Sequence, residues 1–520
     1  MTKDQLPNKI EEVGFVQSVQ GKIASVSGLP TAQVGELVQS EDGTSGYVGG
    51  LFPDRVEVYL LTENIVVPGQ MFKRTGEYLE IAVGDFLLGR VIDFLGQPID
   101  GKSFSSEEKS QKQKIDQPAV GISGRRFIEE QFDTGITVID TIFPLGKGQR
   151  ELIVGESRSG KSDFILDVIA NQKARGVICV YTLIGKPMVE TRDVWNRLVD
   201  RELLSHTVLV VSTSTDPAPA IFLTPQTSLT IAQYFQRQGK DVLIILDDMG
   251  SHARNYREMS LVSGRQPGRE SYPGDIFYQQ AKLLERAGSF AKEAGGGSIT
   301  ALPVIELALS DFAAFIPTNL MGMTDGHLMF RSVLAQQGQR PAIDLFLSVT
   351  RVGAQTQKRL QNLLAMKVKE VLARGNELDV VSRFGSELPQ ETKLVLVRKE
   401  QISELLIQKP MTFLPKEIQT VLLSLPFTNV LSGKDRDFVK VNFDNLVSAM
   451  EKDLELVKFA KEVFMKKDLT ELFAGVEAIG PVIQRYLTAK PIQTMSEAKK
   501  MEQEEEAESQ AGAELLGQKK

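Results

Sequence analysis

The sequence predicts a three-part chain: a small N-terminal β-barrel or sandwich, a central α/β domain built on a mainly parallel sheet, and a helical C-terminal domain. Three observations predict it. Short apolar runs cut by glycines fill residues 13 to about 83, and continuous apolar runs alternate with helix-length segments from about 134 to 375. Beyond about 376 the strand pattern fades and helical spacing takes over. A chain of 520 residues also exceeds what one hydrophobic core supports, so two to four domains are expected.

Val13–Val19, Ile23–Val26 and Tyr47–Val48 are the clearest runs of the first part, separated by Gly21, Gly28, Gly35, Gly43 and Gly46. Strands of about five residues with frequent turn signals belong to small all-β domains. A polar stretch at 103–117, SFSSEEKSQKQKIDQ, reads as a surface loop. The central runs are ELIV (151–154), VICVYTLI (177–184), TVLVVS (207–212), VLIIL (242–246) and ITALPVI (299–305). Such uninterrupted strands are buried on both faces, which a parallel sheet covered by helices provides. Asp163–Gln172 follows the first run with helical spacing of Phe164, Ile165, Val168 and Ile169. Residues 394–408, 446–464 and 468–487 read as C-terminal helices, and the polar 495–520 as a frayed helix or disordered tail.

Composition removes several function classes. The net charge of −7 offers no basic surface for a nucleic-acid backbone. The single cysteine, Cys179, excludes an internal disulfide and a thiolate metal cage, and the three histidines are too scattered for a metal motif. No apolar run approaches the ~20 residues that span a bilayer, and the charged start lacks a signal-peptide core. A soluble, multidomain, cytosolic protein is expected.

One motif carries chemistry by itself. Gly155, Glu156, Ser157, Arg158, Ser159, Gly160, Lys161 and Ser162 satisfy G-x-x-x-x-G-K-[ST] between an apolar strand and an amphipathic helix. Glycines let backbone N–H groups curl around phosphate oxygens, and the following helix points its positive end at the anion. Lys161 is expected to reach the β/γ-phosphates of ATP or ADP, and the Ser162 hydroxyl to ligate Mg²⁺. Asp247 ends the run VLIIL about 85 residues later, where P-loop proteins place the carboxylate on the metal side.

Around these motifs the chain resembles the alpha subunits of F-type rotary ATP synthases. The likeness extends over almost the whole sequence, in order. It includes SVQGKIASVSGL (18–29), VGDFLLGRVIDFLGQPIDG (83–101), FDTGITVIDTIFPLGKGQRELIVGESRSGKSDFILDVIANQ (132–172), DDMGSHARNYREMSL (247–261), RQPGRESYPGDIFYQQAKLLERAG (265–288), QRPAIDLFLSVTRVGAQTQ (339–357) and SRFGSELPQET (382–392). It implies a barrel at 10–83, a P-loop nucleotide-binding domain at 84–375, a helical domain at 376–490 and a charged tail at 491–520. It implies a ring of three such subunits alternating with three catalytic beta-like subunits around a gamma-like central stalk, with ATP or ADP and Mg²⁺ as ligands. It places the complex on a membrane, at the cytoplasmic face of a bacterial inner membrane or its organelle equivalent, coupled to ion transport.

The same resemblance assigns residues. Arg351, in SVTRVG, matches the arginine finger given in trans to the beta site, and Ser348 a serine that supports it. A guanidinium suits that role because it stays charged and offers a fork of donors. Arg340 and Pro341 match residues of the adenine pocket, and Gln408 falls near a matching glutamine. Tyr272 and Arg269 lie in a segment near the subunit interface and central stalk, where two prolines and three glycines predict a shaped loop. Where beta subunits carry the catalytic Glu of G-E-R, this chain has Gly185-Lys186-Pro187. A protonated lysine is no base, so the chain alone is expected to be non-catalytic, with Glu190 the nearest candidate for a displaced base.

Several positions depart from the family pattern. E-S-R-S stands inside the loop for D-R-Q-T, bringing Arg158 toward the nucleotide. Gly322 replaces a serine, Pro410 stands near a second expected glutamine, and only 13 residues precede Gly14, where the family has a helix for the delta-like peripheral stalk. The competing readings are a self-sufficient homohexameric ATPase of secretion or RNA-translocase type, and a regulatory paralogue.

Overall fold

The computed structural model describes residues 12–62, 64–105, 111–307, 311–382 and 389–487, so the predicted charged tail lies outside the described residues. It divides into two compact units. One runs to Gln357 and includes Lys409–Phe413; the other takes Lys358–Gln408 and resumes at Leu414.

The first unit opens with six strands, β1 (Val13–Gln20), β2 (Ile23–Gly28), β3 (Glu36–Ser40), β4 (Ser45–Leu51), β5 (Val56–Leu60) and β6 (Met71–Tyr78). They close a barrel in the order β1-β2-β5-β4-β3-β6, deciding between the barrel and the sandwich. Val16, Val26, Val38, Val48, Val58 and Phe72 fill it, the period-2 alternation turning one face of each strand inward. β7 (Glu80–Ala82), β8 (Val91–Ile92) and β9 (Lys112–Lys114) follow. β9 pairs with β7, so the predicted surface loop at 103–117 contains a strand. Its anchor is Ile115, which is buried and whose carbonyl accepts from Thr230 and Arg286.

The central sheet uses β10 (Glu151–Gly155), β11 (Ile178–Lys186), β12 (Thr207–Thr213), β13 (Asp241–Asp247), β14 (Gly288–Ser289), β15 (Ser298–Glu306), β16 (Gly326–Phe330) and β17 (Val349–Thr350). The order is β17-β16-β10-β15-β13-β11-β12-β8, with β14 beside β15. All neighbours run parallel except β14 and β17, which pair antiparallel. Helices α1 (Lys161–Lys173), α2 (Met188–Asp200), α3 (Ala218–Gln236), α4 (Met249–Val262), α5 (Ile276–Leu284), α6 (Phe315–Met323) and α7 (Ser332–Gln336) complete this unit. The five expected core strands all form. β16, whose run is shorter and interrupted by His327, does not stand out in the sequence.

The second unit is helical: α8 (Arg359–Ser382), α9 (Gln390–Leu405), α10 (Lys416–Ser424), α11 (Arg436–Lys452), α12 (Leu454–Glu462) and α13 (Leu469–Leu487). The boundary expected at 375/376 falls inside α8, whose Leu360, Leu364 and Val368 are already buried. The helix expected over 446–464 is two helices. Asp453 adopts an extended conformation and accepts the N–H groups of Glu455 and Leu456, so it caps a new helix. Among the described residues no helix is long and apolar enough to cross a membrane.

Candidate functional site: the phosphate loop and an exposed arginine

β10 lies inside the sheet, between β15 and β16, so its carboxyl end opens onto the crevice where parallel sheets place ligands. Gly155 ends it. A Cβ there would come within 2.6 Å of the Phe330 carbonyl, so only glycine lets the chain turn away at this point. Gly160 then turns the loop into α1 with φ 88. Arg158 takes a left-handed φ of 57 without being glycine, which presents its side chain to solvent. The Ser159 hydroxyl donates to the Glu156 carbonyl at 2.7 Å, and the Glu156 carboxylate accepts from the Ser332 N–H at 2.9 Å. The departing E-S-R-S sequence thus ties the loop to itself and to the start of α7.

The loop borders a cavity of about 940 Å³ lined by Arg158, Lys161, Ser162, Asp247 and Arg340, among others. That suits a nucleotide-sized ligand. Lys161 folds back onto the Gly155 carbonyl at 2.9 Å, with the Glu306 carboxylate 3.8 Å away. Burial pushes its ammonium below the ordinary lysine value, and the nearby Glu306 and Asp247 carboxylates offset this only in part. Glu306 ends β15, between the strands of the loop and of Asp247, and the sequence gives no motif for it.

Lys186 enters the same cavity. Its Nζ lies 2.8 Å from Asp247 Oδ1, and the Tyr181 hydroxyl donates to Asp247 Oδ2 at 3.2 Å. Burial lowers the Lys186 pKa, but Asp247 and Asp248 outweigh it and hold the ammonium above its ordinary value. Burial pushes Asp248 up, and its carboxylate caps α4 at the Ser251 N–H. The two residues expected to hold Mg²⁺ therefore differ: Ser162 is exposed at the cavity, whereas each oxygen of Asp247 already has a partner, so a metal there would compete with the Lys186 ammonium. Glu190, at 4.0 Å from Lys186 Nζ, is 61% exposed on α2. It faces the Lys186 ammonium across the cavity.

The other predicted residues are placed as follows. Arg340 precedes a cis peptide to Pro341 and reaches the cavity; Pro341 is half-buried beside it. Gln408 is buried in the second unit. Pro410 is exposed in the segment that joins the first unit, where the Met411 N–H donates to Asp167 of α1. The shaped loop at 264–274 is observed: Gly268 donates to the Tyr272 carbonyl, and Arg257 and Arg269 sit over the rings of Tyr272 and Phe315.

Arg351 lies at the other end of the sheet. Thr350 opposes Gly326, which opposes Glu151, the first residue of β10, whereas the loop follows Gly155, the last. Four residues at ~3.3 Å each separate the two ends by roughly 13 Å. Arg351 is exposed, with Nη1 and Nη2 donating to the Thr324 and Met321 carbonyls and its N–H to the Asp325 carbonyl. Asp325 is itself clamped by Arg150 at 2.7 Å. Ser348 does not touch the guanidinium. Its hydroxyl accepts from the Met329 N–H at 2.9 Å and donates to the Asp344 carbonyl, so it positions the approach to β17. Gly322, next to the Met321 carbonyl that accepts from Arg351, has open space where a side chain would stand.

A glycine-rich loop leading from a central parallel strand into a helix, with its lysine inside a nucleotide-sized cavity, defines a P-loop nucleotide-binding protein. Residues 135–350 match the nucleotide-binding domain of the ATP synthase alpha/beta family. The chain is 43% identical over 399 residues to an ATP synthase subunit alpha of Mycoplasma pneumoniae, a match covering 76% of each chain. It belongs to the ATP synthase alpha/beta family, on the alpha-subunit side.

Proposed function

We propose that this chain binds ATP or ADP at a site it does not turn over, and completes the catalytic site of a neighbouring beta-like subunit with Arg351. The observation that carries the reading is Lys186. Hydrolysis requires a carboxylate that positions the attacking water. At that place stands a lysine whose ammonium is paired with Asp247 at 2.8 Å. The exposure of Arg351, at the sheet end opposite its own loop, supports action on a second chain. The family supports a three-plus-three ring with a gamma-like stalk, attached to the cytoplasmic face of a membrane and coupled to ion transport. Ser348 serves as a positioning residue, and Arg340 and Pro341 are assigned to the adenine side. The Ser162 hydroxyl would meet any Mg²⁺ carried in with the nucleotide.

The test uses the purified chain. Calorimetry is expected to find nucleotide binding, reduced at least tenfold by Lys161→Ala, with negligible hydrolysis. Robust hydrolysis by the chain alone, abolished by Lys161→Ala, would overturn the reading in favour of a self-sufficient ATPase.

A further inference from the structure

We propose that Lys186 is a built-in cation that meets the β/γ-phosphate charge in place of a divalent metal, so that this site holds metal-free ATP nearly as well as MgATP. The inference rests on the nucleotide-binding reading above and assigns its ligand form.

The argument begins with the backbone. β11 continues past Leu183, which opposes Asp247 on β13, and reaches Lys186 through an irregularity in its pairing with β12. Gly185 has φ 62, and a Cβ there would meet Ser251 Oγ at 2.6 Å, so the bend is available only to glycine. The Gly185 N–H donates to Ser212 Oγ, and the Lys186 carbonyl accepts from the Ser214 N–H at 3.0 Å. The bend is therefore held from both sides, and it turns the lysine stem back over the end of β13.

The side chain arrives where a metal-side carboxylate would act. Lys186 Nζ is 2.8 Å from Asp247 Oδ1, and Tyr181 occupies Oδ2. Only 18% of the Lys186 side chain and 7% of that of Asp247 are exposed. A divalent ion using Asp247 would have to displace a shielded ammonium from its counter-charge. Lys186 and Lys161 line one cavity; Lys161 donates to the Gly155 and Glu156 carbonyls and Lys186 to the Asp247 carboxylate, which leaves N–H donors that can take further oxygen acceptors. Phosphate oxygens supply such acceptors, and charge-assisted bonds to them are the strong ones. Arg158 and Arg340 line the same cavity. The carboxylates of Asp163, Glu190, Asp193, Asp247 and Glu306 line it too, so a metal-free triphosphate, whose charge is higher than that of its magnesium complex, depends on the four cations, with Lys186 seated on the metal-side carboxylate.

The test titrates ATP into the full chain by calorimetry, once with excess MgCl₂ and once with excess EDTA. For the unaltered chain the two dissociation constants are expected to agree within fivefold. Lys186→Gln and Lys186→Met should each widen that ratio at least a further fivefold, mainly by weakening metal-free binding. A ratio of fivefold or more in the unaltered chain would overturn the proposal, as would variants whose ratio matches it. Should a single variant fail to fold, Lys186→Gln with Asp247→Asn leaves no unpaired buried charge and serves instead. Absence of binding in both buffers would overturn the nucleotide-binding reading itself, and is thereby distinguished from failure of the role given to Lys186.

Discussion

Removing Asp325 should uncouple the exposed arginine from its support while leaving the phosphate loop intact. Its carboxylate receives three donations from Arg150: Nη2 at 2.7 Å, Nε at 3.0 Å and the backbone N–H at 2.9 Å. Its carbonyl receives the Arg351 N–H at 2.9 Å. Bonds to charged groups contribute about 1.5–3 kcal/mol each, but a bidentate set is not additive. The Arg150 side chain is 26% exposed, so water takes over part of the loss. We expect Asp325→Ala to cost about 2–3 kcal/mol, and a cycle with Arg150→Ala to give about 1–2 kcal/mol of coupling. Denaturant unfolding of the four proteins measures both. In the assembled complex the variant should reduce turnover, because the Asp325 carbonyl that accepts the Arg351 N–H loses the side-chain clamp to Arg150 that positions it. Nucleotide binding by this chain should change less than twofold, because the loop lies at the far end of β10. A coupling energy below about 0.3 kcal/mol would refute the clamp. Loss of nucleotide binding equal to the loss of turnover would refute the separation of the two ends.

Two further predictions concern the frame. His252 is fully buried and stacked on Phe222 at 4.9 Å, and burial lowers its pKa to about 4. A histidine whose folded pKa is depressed leaves stability intact above its unfolded value of ~6.5 and removes it as pH falls toward about 4, by on the order of 3 kcal/mol. His252→Phe should flatten this part of the melting-temperature profile; an unchanged acid slope would contradict the assignment. Arg286 is buried against uncharged partners, Gln233, Thr230 and the Ile115 carbonyl, and burial lowers its pKa to about 9. Arg286→Ala should cost about 3 kcal/mol or more by stranding those acceptors, and a shift under about 1 kcal/mol in denaturant unfolding would show that water replaces them readily.

The phosphate loop was legible because its eight residues are contiguous and its chemistry is local. The five apolar core strands were legible for a similar reason: each is one uninterrupted run. What required three dimensions was adjacency. Lys186 marked a missing base in the sequence, but its pairing with Asp247, 61 residues away, depends on β11 and β13 being neighbours. Glu306 belongs to the site because β15 lies between β10 and β13. The end of a predicted parallel strand was the only signal for it. Asp453 divides the helix expected over 446–464 through a side-chain cap that apolar spacing does not register. Residues 103–117 look like a loop because their charges hide two buried apolar anchors, Phe104 and Ile115, the second directly after β9. Arg351 owes its assignment to resemblance, and its exposure at the sheet end remote from its own loop adds a physical reason for it.

The central claim is that this chain acts on a partner's nucleotide and not on its own. Its most direct test is the turnover of the complex reconstituted with Arg351→Ala. An arginine finger contributes on the order of 10³–10⁵ in rate. Turnover should fall at least a hundredfold, with assembly and nucleotide binding by this chain unchanged. Turnover within a few-fold of the unaltered complex would contradict the account.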